Sequence, residues 1–256
     1  MFVEERHAEI LLKLKKKGKV LVKELSRDFN VTEDCIRKDL AALEKQGLLK
    51  RAYGGAVENR VNLHMAKVER RRDIDVAEKK KIAEMAVSFI EENEMVFLDI
   101  STINLEIAHI LLKEPKKGVT IVTNMVGILN IAAEKQTLLP FIFIGGELNA
   151  EGDGFFGALT AEMLSRFRFD RAFMGVVGID VYTNSAYTYS TTDGLTKNTI
   201  MERSRISHLV AENRKFTQDG NYQFAKLERF ANIITDKALP KEEMEKLSDL
   251  GTTLVF

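Results

Sequence analysis

Between Thr32 and Gly55 the chain carries side chains suited to meeting a nucleic acid. Thr32 can cap a helix with its hydroxyl, and Glu33 and Asp34 follow where negative charge suits a helix start. Arg37 and Lys38 then fall in the first two turns. An arginine there can offer two N–H groups to the O6/N7 edge of a guanine, worth about 1–3 kcal/mol of discrimination. Lys45, Lys50 and Arg51 are better placed for phosphates, which position a protein without specifying sequence. Gly54 and Gly55 form a tight hairpin turn. Arg37 can also pair with Glu33 or Asp34, one turn back, at about 0.2–0.5 kcal/mol per pair; we expect DNA contact to outweigh that pairing. Asp39 repels phosphate and is expected to hold a basic side chain.

A second set of groups lies further on. Asp99, Ser101 and Thr102 follow one apolar run, Thr123 and Asn124 the next, and Gly145, Gly146 and Glu147 a third. Gly178, Ile179 and Asp180 follow another, and Lys215 stands just beyond a run ending at Ala211. Hydroxyls and backbone N–H groups at helix starts make an anion pocket, and a lysine adds charge. With Asp99, Asn124 and Asp180 available for hydroxyls, this composition suits a phosphorylated small metabolite.

The elements that must position these groups are legible from periodicity. Arg6–Lys17, Val22–Phe29 and a helix from Thr32 with Ile36, Leu40 and Leu43 on one stripe, ended by Gly47, predict three short helices. Leu48–Tyr53 predicts a strand leading into the hairpin. Helix, turn, helix and hairpin are what a winged helix-turn-helix needs. Residues 56–74 are polar and without period, so the expected division is a DNA-binding domain at 1–57, a linker at 58–74 and a second domain at 75–256. In the latter, D-V-A-E from Asp75 reads as a capping box. Strands are predicted at 95–100, 119–122, 141–144, 172–176, 207–210, 232–235 and 252–255. Helices are predicted at 104–112, 126–133, 158–166 and 196–205 and from Lys241. Strands alternating with helices predict a largely parallel sheet covered on both faces.

Lysines plus arginines and acidic residues number 38 each, so net charge alone names no partner. Its distribution does: residues 1–57 hold 13 basic against 9 acidic groups, leaving the rest at −4. A basic end on a mildly acidic body suits a polyanion. The single cysteine, Cys35, excludes an internal disulfide and a cysteine metal cluster. No apolar run is long enough to span a bilayer, so a cytoplasmic protein with no membrane contact and no cofactor is expected.

At this point a family resemblance emerges. Arg6, Ile10, Thr32, Ile36, Arg37, Asp39, Leu40, Gly54 and Gly55 match the N-terminal pattern of DeoR-type transcriptional regulators, with Cys35 where threonine is usual. The runs L-D-x-x-T, V-T-N, I-G-G-E-L, R-F-D-R-A-F-M-G, G-I-D, K-x-x-x-M and K-F resemble that family's C-terminal sensor domain. The resemblance implies a sensor similar in fold to ribose-5-phosphate isomerase that binds sugar phosphates. It maps Asp99, Ser101, Thr102, Thr123, Asn124, Gly145, Gly146, Asp180, Lys197 and Lys215 to the effector site. The chain departs from the pattern at Ser101, Val177 and Leu195, and Asp193 can take the place of one usual glutamate. The implied protein is a repressor of a carbohydrate catabolic operon. Its implied partners are double-stranded operator DNA, a phosphorylated sugar and further copies of itself, as a dimer or tetramer. Two other readings stay open: an isomerase-like enzyme, and a DNA-binding oligomer with no effector.

Overall fold

The structure is a computed structural model that describes residues 2–17, 19–52, 54–58, 72–135 and 139–256. Most of the expected linker, and Tyr53, lie outside the described residues. Two compact units divide the chain, Met1–Val61 and Asn62–Phe256.

In the first unit, α1 (Val3–Lys17), α2 (Val22–Phe29) and α3 (Glu33–Lys45) enclose a small core. Ile10 and Leu14 of α1, Leu25 of α2 and Ile36, Leu40 and Leu43 of α3 are all buried there. Their one-turn spacing is what puts each set on a single face, and burying such a side chain contributes about 1.5–3 kcal/mol. Thr32 caps α3, its Oγ1 accepting from Cys35 N–H at 3.2 Å. At the other end Gly47, φ +76°, lets its own N–H reach Glu44 O and Leu48 N–H reach Leu43 O, at 2.9 and 3.0 Å, satisfying the last carbonyls.

The hairpin comprises β2 (Leu49–Ala52) and β3 (Gly55–Glu58). A strand that periodicity does not reveal, β1 (Lys19–Leu21), completes a three-stranded sheet in the order β1-β3-β2. Three residues are too few to show an alternation. Gly55 pairs with Leu21, and a Cβ there would come within 1.9 Å of Val20 O. Glycine is therefore required for the wing to close on β1.

The second unit is built on a seven-stranded, all-parallel sheet. Its strands are β4 (Met95–Leu98), β5 (Thr120–Thr123), β6 (Phe141–Phe143), β9 (Phe169–Gly175), β12 (Ser204–Val210), β14 (Asn232–Ile234) and β15 (Thr253–Val255). The spatial order is β15-β14-β12-β9-β4-β5-β6. From β4 the chain adds strands on one side, then crosses back to β9 on the other. The order thus reverses between β4 and β9, which is where open parallel sheets leave a crevice at their carboxyl ends.

One face carries α4 (Val76–Ser88), α5 (Thr102–Lys113) and α6 (Val126–Glu134), packed over Val96, Leu98, Ile121 and Phe173. Phe97, Val122, Ala172 and Met174 point to the opposite face. There they meet α7 (Ala158–Ser165) and α8 (Thr191–Glu202). Both faces are covered, so the strands read as continuous apolar runs. A small antiparallel sheet of β10 (Gly178–Asp180), β11 (Ser185–Thr188) and β13 (Tyr222–Ala225) and a hairpin of β7 (Glu147–Leu148) and β8 (Phe155–Phe156) sit beside this frame. The last helix, α9, spans Lys241–Asp249.

Two local expectations need correction. The capping box at Asp75 does not form: Asp75 is left-handed, φ 52°, makes no side-chain cap bond, and instead pairs with Arg214 at 2.8 Å. Helix α8 begins at Thr191 rather than Thr196, capped by Ser190 Oγ accepting from Asp193 N–H at 3.1 Å. Its first turns lack an apolar period because Gly194 stands where a Cβ would lie 2.3 Å from the Tyr222 ring. Close packing on β13 took precedence over helix propensity.

Candidate functional site

The first unit presents a basic face. Thr32, Arg37, Lys38, Lys45, Lys50, Arg51 and Gly54 are all exposed. The buried stripe of α3 turns Arg37, Lys38 and Lys45 outward, Thr32 stands at the cap before it, and β2 carries Lys50 and Arg51. Glu44 ties helix to wing, its Oε1 accepting from Arg51 N–H at 2.8 Å. Arg37 donates to Asp34 Oδ1 at 2.5 Å and to Glu33 Oε2 at 2.6 Å, so both carboxylates of the first turn hold it on the surface. Gly55 differs from the expectation. It is buried between strands, and its part is to let the wing close rather than to face a ligand.

Asp39 does hold a basic side chain. Arg6 Nε and Nη2 donate to its two oxygens at 2.6 and 3.0 Å, and His7 Nε2 lies 3.2 Å away. Burial alone would raise the Asp39 carboxyl, but the Arg6 and His7 hydrogen bonds outweigh it and hold it below the usual range.

In the second unit a cleft of about 150 Å³ opens at the reversal point of the sheet. Its wall includes Ser101 and Thr102 after β4, Val176 after β9, Ser190 before α8, and Lys215 in the short 3-10 turn Asn213–Thr217 after β12. Two helix starts converge here. Ser101 Oγ caps α5 by accepting from Asn104 N–H at 3.0 Å, and Ser190 caps α8. The first turn of α5 holds no acidic residue, so its positive end is uncompensated and favours an anion.

In the same wall Lys197 Nζ donates to the buried Asp99 Oδ2, and Asp193 Oδ1 lies 3.8 Å from the same ammonium, one turn back on α8. Asp99 Oδ2 also accepts from Gly175 N–H at 2.9 Å, binding the ends of β4 and β9 together. Thr188 Oγ1 donates to Asp193 Oδ2. Burial would lower the Lys197 ammonium, but Asp193 and Asp99 outweigh it and keep it charged. Burial, with the neighbouring Asp99 charge, pushes Asp193 up to about 6 against the pull of Lys197. Glu212 would be raised by burial, yet Lys215 and Arg214 hold it below its ordinary value.

The structure thus brings Ser101, Thr102, Lys197 and Lys215 to one cleft, with Asp99 bonded to Lys197. It does not bring the other five expected residues to its wall. Thr123 Oγ1 donates to Leu98 O at 2.6 Å and accepts from Met125 N–H, fastening β5 to β4. Buried Asn124 donates to Phe155 O at 2.8 Å, anchoring β8. Gly145 O accepts from Thr160, and Gly146 abuts that same hydroxyl. Asp180 Oδ1 accepts from Tyr182 and Thr183 N–H, at 2.8 and 3.2 Å, closing its own turn. In their place the wall carries Asn149, Glu151 and Asp153 from the β7–β8 loop, Asp193, and Glu212 with Arg214. Of these, the sequence pointed only to Asp193, as the residue able to take the place of a glutamate usual in the resembled family.

Residues 6–61 match the family described as the DeoR-like helix-turn-helix domain, and residues 74–237 match the DeoR C terminal sensor domain. The chain belongs to the DeoR family. It is a DNA-binding transcriptional regulator with an N-terminal helix-turn-helix and a C-terminal α/β sensor. One DeoR relative, the putative aga operon transcriptional repressor of Escherichia coli O157:H7, is 29% identical over 98% of this chain and 93% of its own length. The glycerol-3-phosphate regulon repressor of Escherichia coli K12 is 30% identical over 96% of this chain and 95% of its own. Among solved structures, ribose 5 phosphate isomerase A from Neisseria gonorrhoeae is similar at 16% identity and TM-score 0.39, covering 54% of this chain and 52% of that one. At that distance the likeness says nothing of chemistry. No helix among the described residues is long and apolar enough to cross a membrane.

Proposed function

We propose that this DeoR-family regulator represses a carbohydrate catabolic operon and that a phosphorylated sugar in the cleft weakens its hold on operator DNA. The observation that carries the reading is the convergence of the uncompensated α5 start, Ser101, Thr102 and Lys215 on one cleft at the reversal of the sheet. An anionic ester suits that wall, and Asp153 and Asp193 suit its hydroxyls. The relatives named as operon and regulon repressors support the same reading. Arg37, Lys38, Lys45, Lys50 and Arg51 supply the DNA-facing groups. Residues 1–57 bind DNA, 58–74 link, and 75–256 sense and assemble. Operators with paired half-sites call for at least a dimer, and such a regulator works in the cytoplasm.

The cleft is for binding rather than turnover. General-base chemistry needs a group free to take a proton, whereas Lys197 is held as an ammonium between Asp99 and Asp193, and the Asp193 carboxylate is itself engaged by Thr188 Oγ1 and by Lys197. Turnover of a pentose or hexose phosphate, abolished by Asp193→Asn, would overturn this.

The deciding experiment is a thermal-shift screen of the full chain against sugar phosphates and the matching free sugars. A shift with one ester and none with its free sugar is expected. No shift with any phosphate would leave constitutive DNA binding as the better account.

A further inference from the structure

Arg214 belongs to two sites at once. It lines the cleft, where its Nη2 lies 2.8 Å from Glu212 Oε1. Its Nε lies 2.8 Å from Asp75 Oδ2. Asp75 immediately precedes α4, near the start of the sensor unit on the side of the segment that leads from the DNA-binding unit. It stands at the start of α4 in a left-handed conformation, and its carbonyl accepts from Lys79 N–H at 3.0 Å. One residue earlier, Ile74 O accepts from the buried Lys79 Nζ. The start of α4 is therefore held by a hydrogen bond at Ile74 and, at Asp75, by an ion-pair contact with a side chain of the ligand cleft.

The Asp75–Arg214 pair is about one-third exposed on each side. Pairs of that kind are weak and are easily exchanged for a stronger partner. A phosphate dianion is such a partner, because guanidinium binds it with two parallel hydrogen bonds. We propose that Arg214 is a ligand for the effector's anionic group and that taking it up breaks the pair with Asp75, so that occupancy of the cleft is read at the entry to α4. The proposal rests on the sugar-phosphate reading above. It adds that the paired form is the DNA-binding one, since a ligand shifts an equilibrium only by preferring one state.

Three variants of the full chain test it: Asp75→Asn, Arg214→Gln and the double variant. Asparagine keeps the left-handed preference of Asp75, so α4 retains its start. Operator affinity is measured on a duplex selected from random DNA by the wild-type chain, without any effector. Each single variant lowers it about fivefold or more, and the double variant is no worse than either single one, because all three lack the same pair. Unchanged affinity in Asp75→Asn, or additive losses in the double variant, would overturn the coupling.

A second arm uses inorganic phosphate as the probe and thermal shift as the readout. Wild type is stabilised, Asp75→Asn at least as much, and Arg214→Gln much less. An equal shift in Arg214→Gln would remove Arg214 from the anion site. No shift with phosphate or any phosphate ester in wild type would sink the sugar-phosphate reading and, with it, the anion-sensing half of this proposal. The operator measurement would still decide whether the ion pair sets DNA affinity.

Discussion

Arg6 grips Asp39 through two hydrogen bonds, 2.6 and 3.0 Å long, joining the first turn of α1 to the middle of α3 across the core of the DNA-binding unit. Both side chains are buried. Removing one partner of such a pair leaves a charge without compensation, which costs about 3–5 kcal/mol. Asp39→Ala should therefore unfold the first unit at lower temperature and leave the transition of the sensor unit unmoved. The pair also has a pH signature. The folded Asp39 carboxyl is held below its unfolded value, so its contribution is present at neutral pH and is lost as pH falls through the folded pKa. Calorimetry of the full chain in acid, compared with Asp39→Asn, checks both points.

Gly55→Ala should cost DNA binding through the wing. The added Cβ would press within 1.9 Å of Val20 O, a backbone atom that cannot swing aside. The β1–β3 pairing then opens, and Lys50 and Arg51 lose their placement on β2. Circular dichroism should show the helices retained while operator affinity falls. Undiminished affinity would mean the wing takes no part in binding.

Arg37→Ala should lower operator affinity by about 1–3 kcal/mol, the worth of one bidentate base contact. The exposed pairs with Asp34 and Glu33 contribute only about 0.5 kcal/mol each to the helix. Melting temperature should thus barely move. If affinity on the selected duplex is unchanged, Arg37 serves only to hold the first turn of α3.

Lys215→Ala should weaken the response to effector more than it weakens DNA binding. Lys215 lines the cleft and helps keep Glu212 ionised. A dose-response of operator release that stays where wild type has it would exclude Lys215 from the anion site.

His208 gives the sensor unit its own pH dependence. It packs between Phe89 and Phe173, 2.9 Å from Arg171 Nη1 and within reach of Asn232. Burial and the Arg171 charge push it down to about 4 from 6.5. Between those values the unfolded chain takes up a proton that the folded chain refuses. Stability is therefore complete above pH 6.5 and falls as pH drops toward 4, by on the order of 3 kcal/mol in all. Denaturant titrations from pH 7 to 4 should show the slope in wild type and a flatter one in His208→Asn.

The sequence by itself determined the helices and the strands of the large sheet, but not the short strands such as β1 and β10. Ile36, Leu40 and Leu43 repeat at helical spacing, Thr32 and Gly47 cap the same helix, and short apolar runs such as the one from Met95, bounded by Asn93 and Ser101, read as buried strands. These signals act over a few residues, so they need no knowledge of the rest. Asp39, misplaced on a DNA-facing helix, was legible as a structural partner for the same reason: charge and helical position alone argue against phosphate.

What only the tertiary structure decided is which strand ends meet. Asp99, Ser101, Thr123, Gly145 and Asp180 all stand at or just beyond strand ends, and nothing local separates them. The order β9-β4-β5 puts Asp99 and Ser101 at the crevice and leaves Thr123 fastening two strands, because a crevice forms where the order reverses. The β7–β8 loop reaches the cleft with Asp153, and α8 starts early enough for Asp193 to face Lys197, through packing between segments far apart in sequence. Arg214 and Asp75 are 139 positions apart, and only the folding of α4 beside the end of β12 makes them a pair.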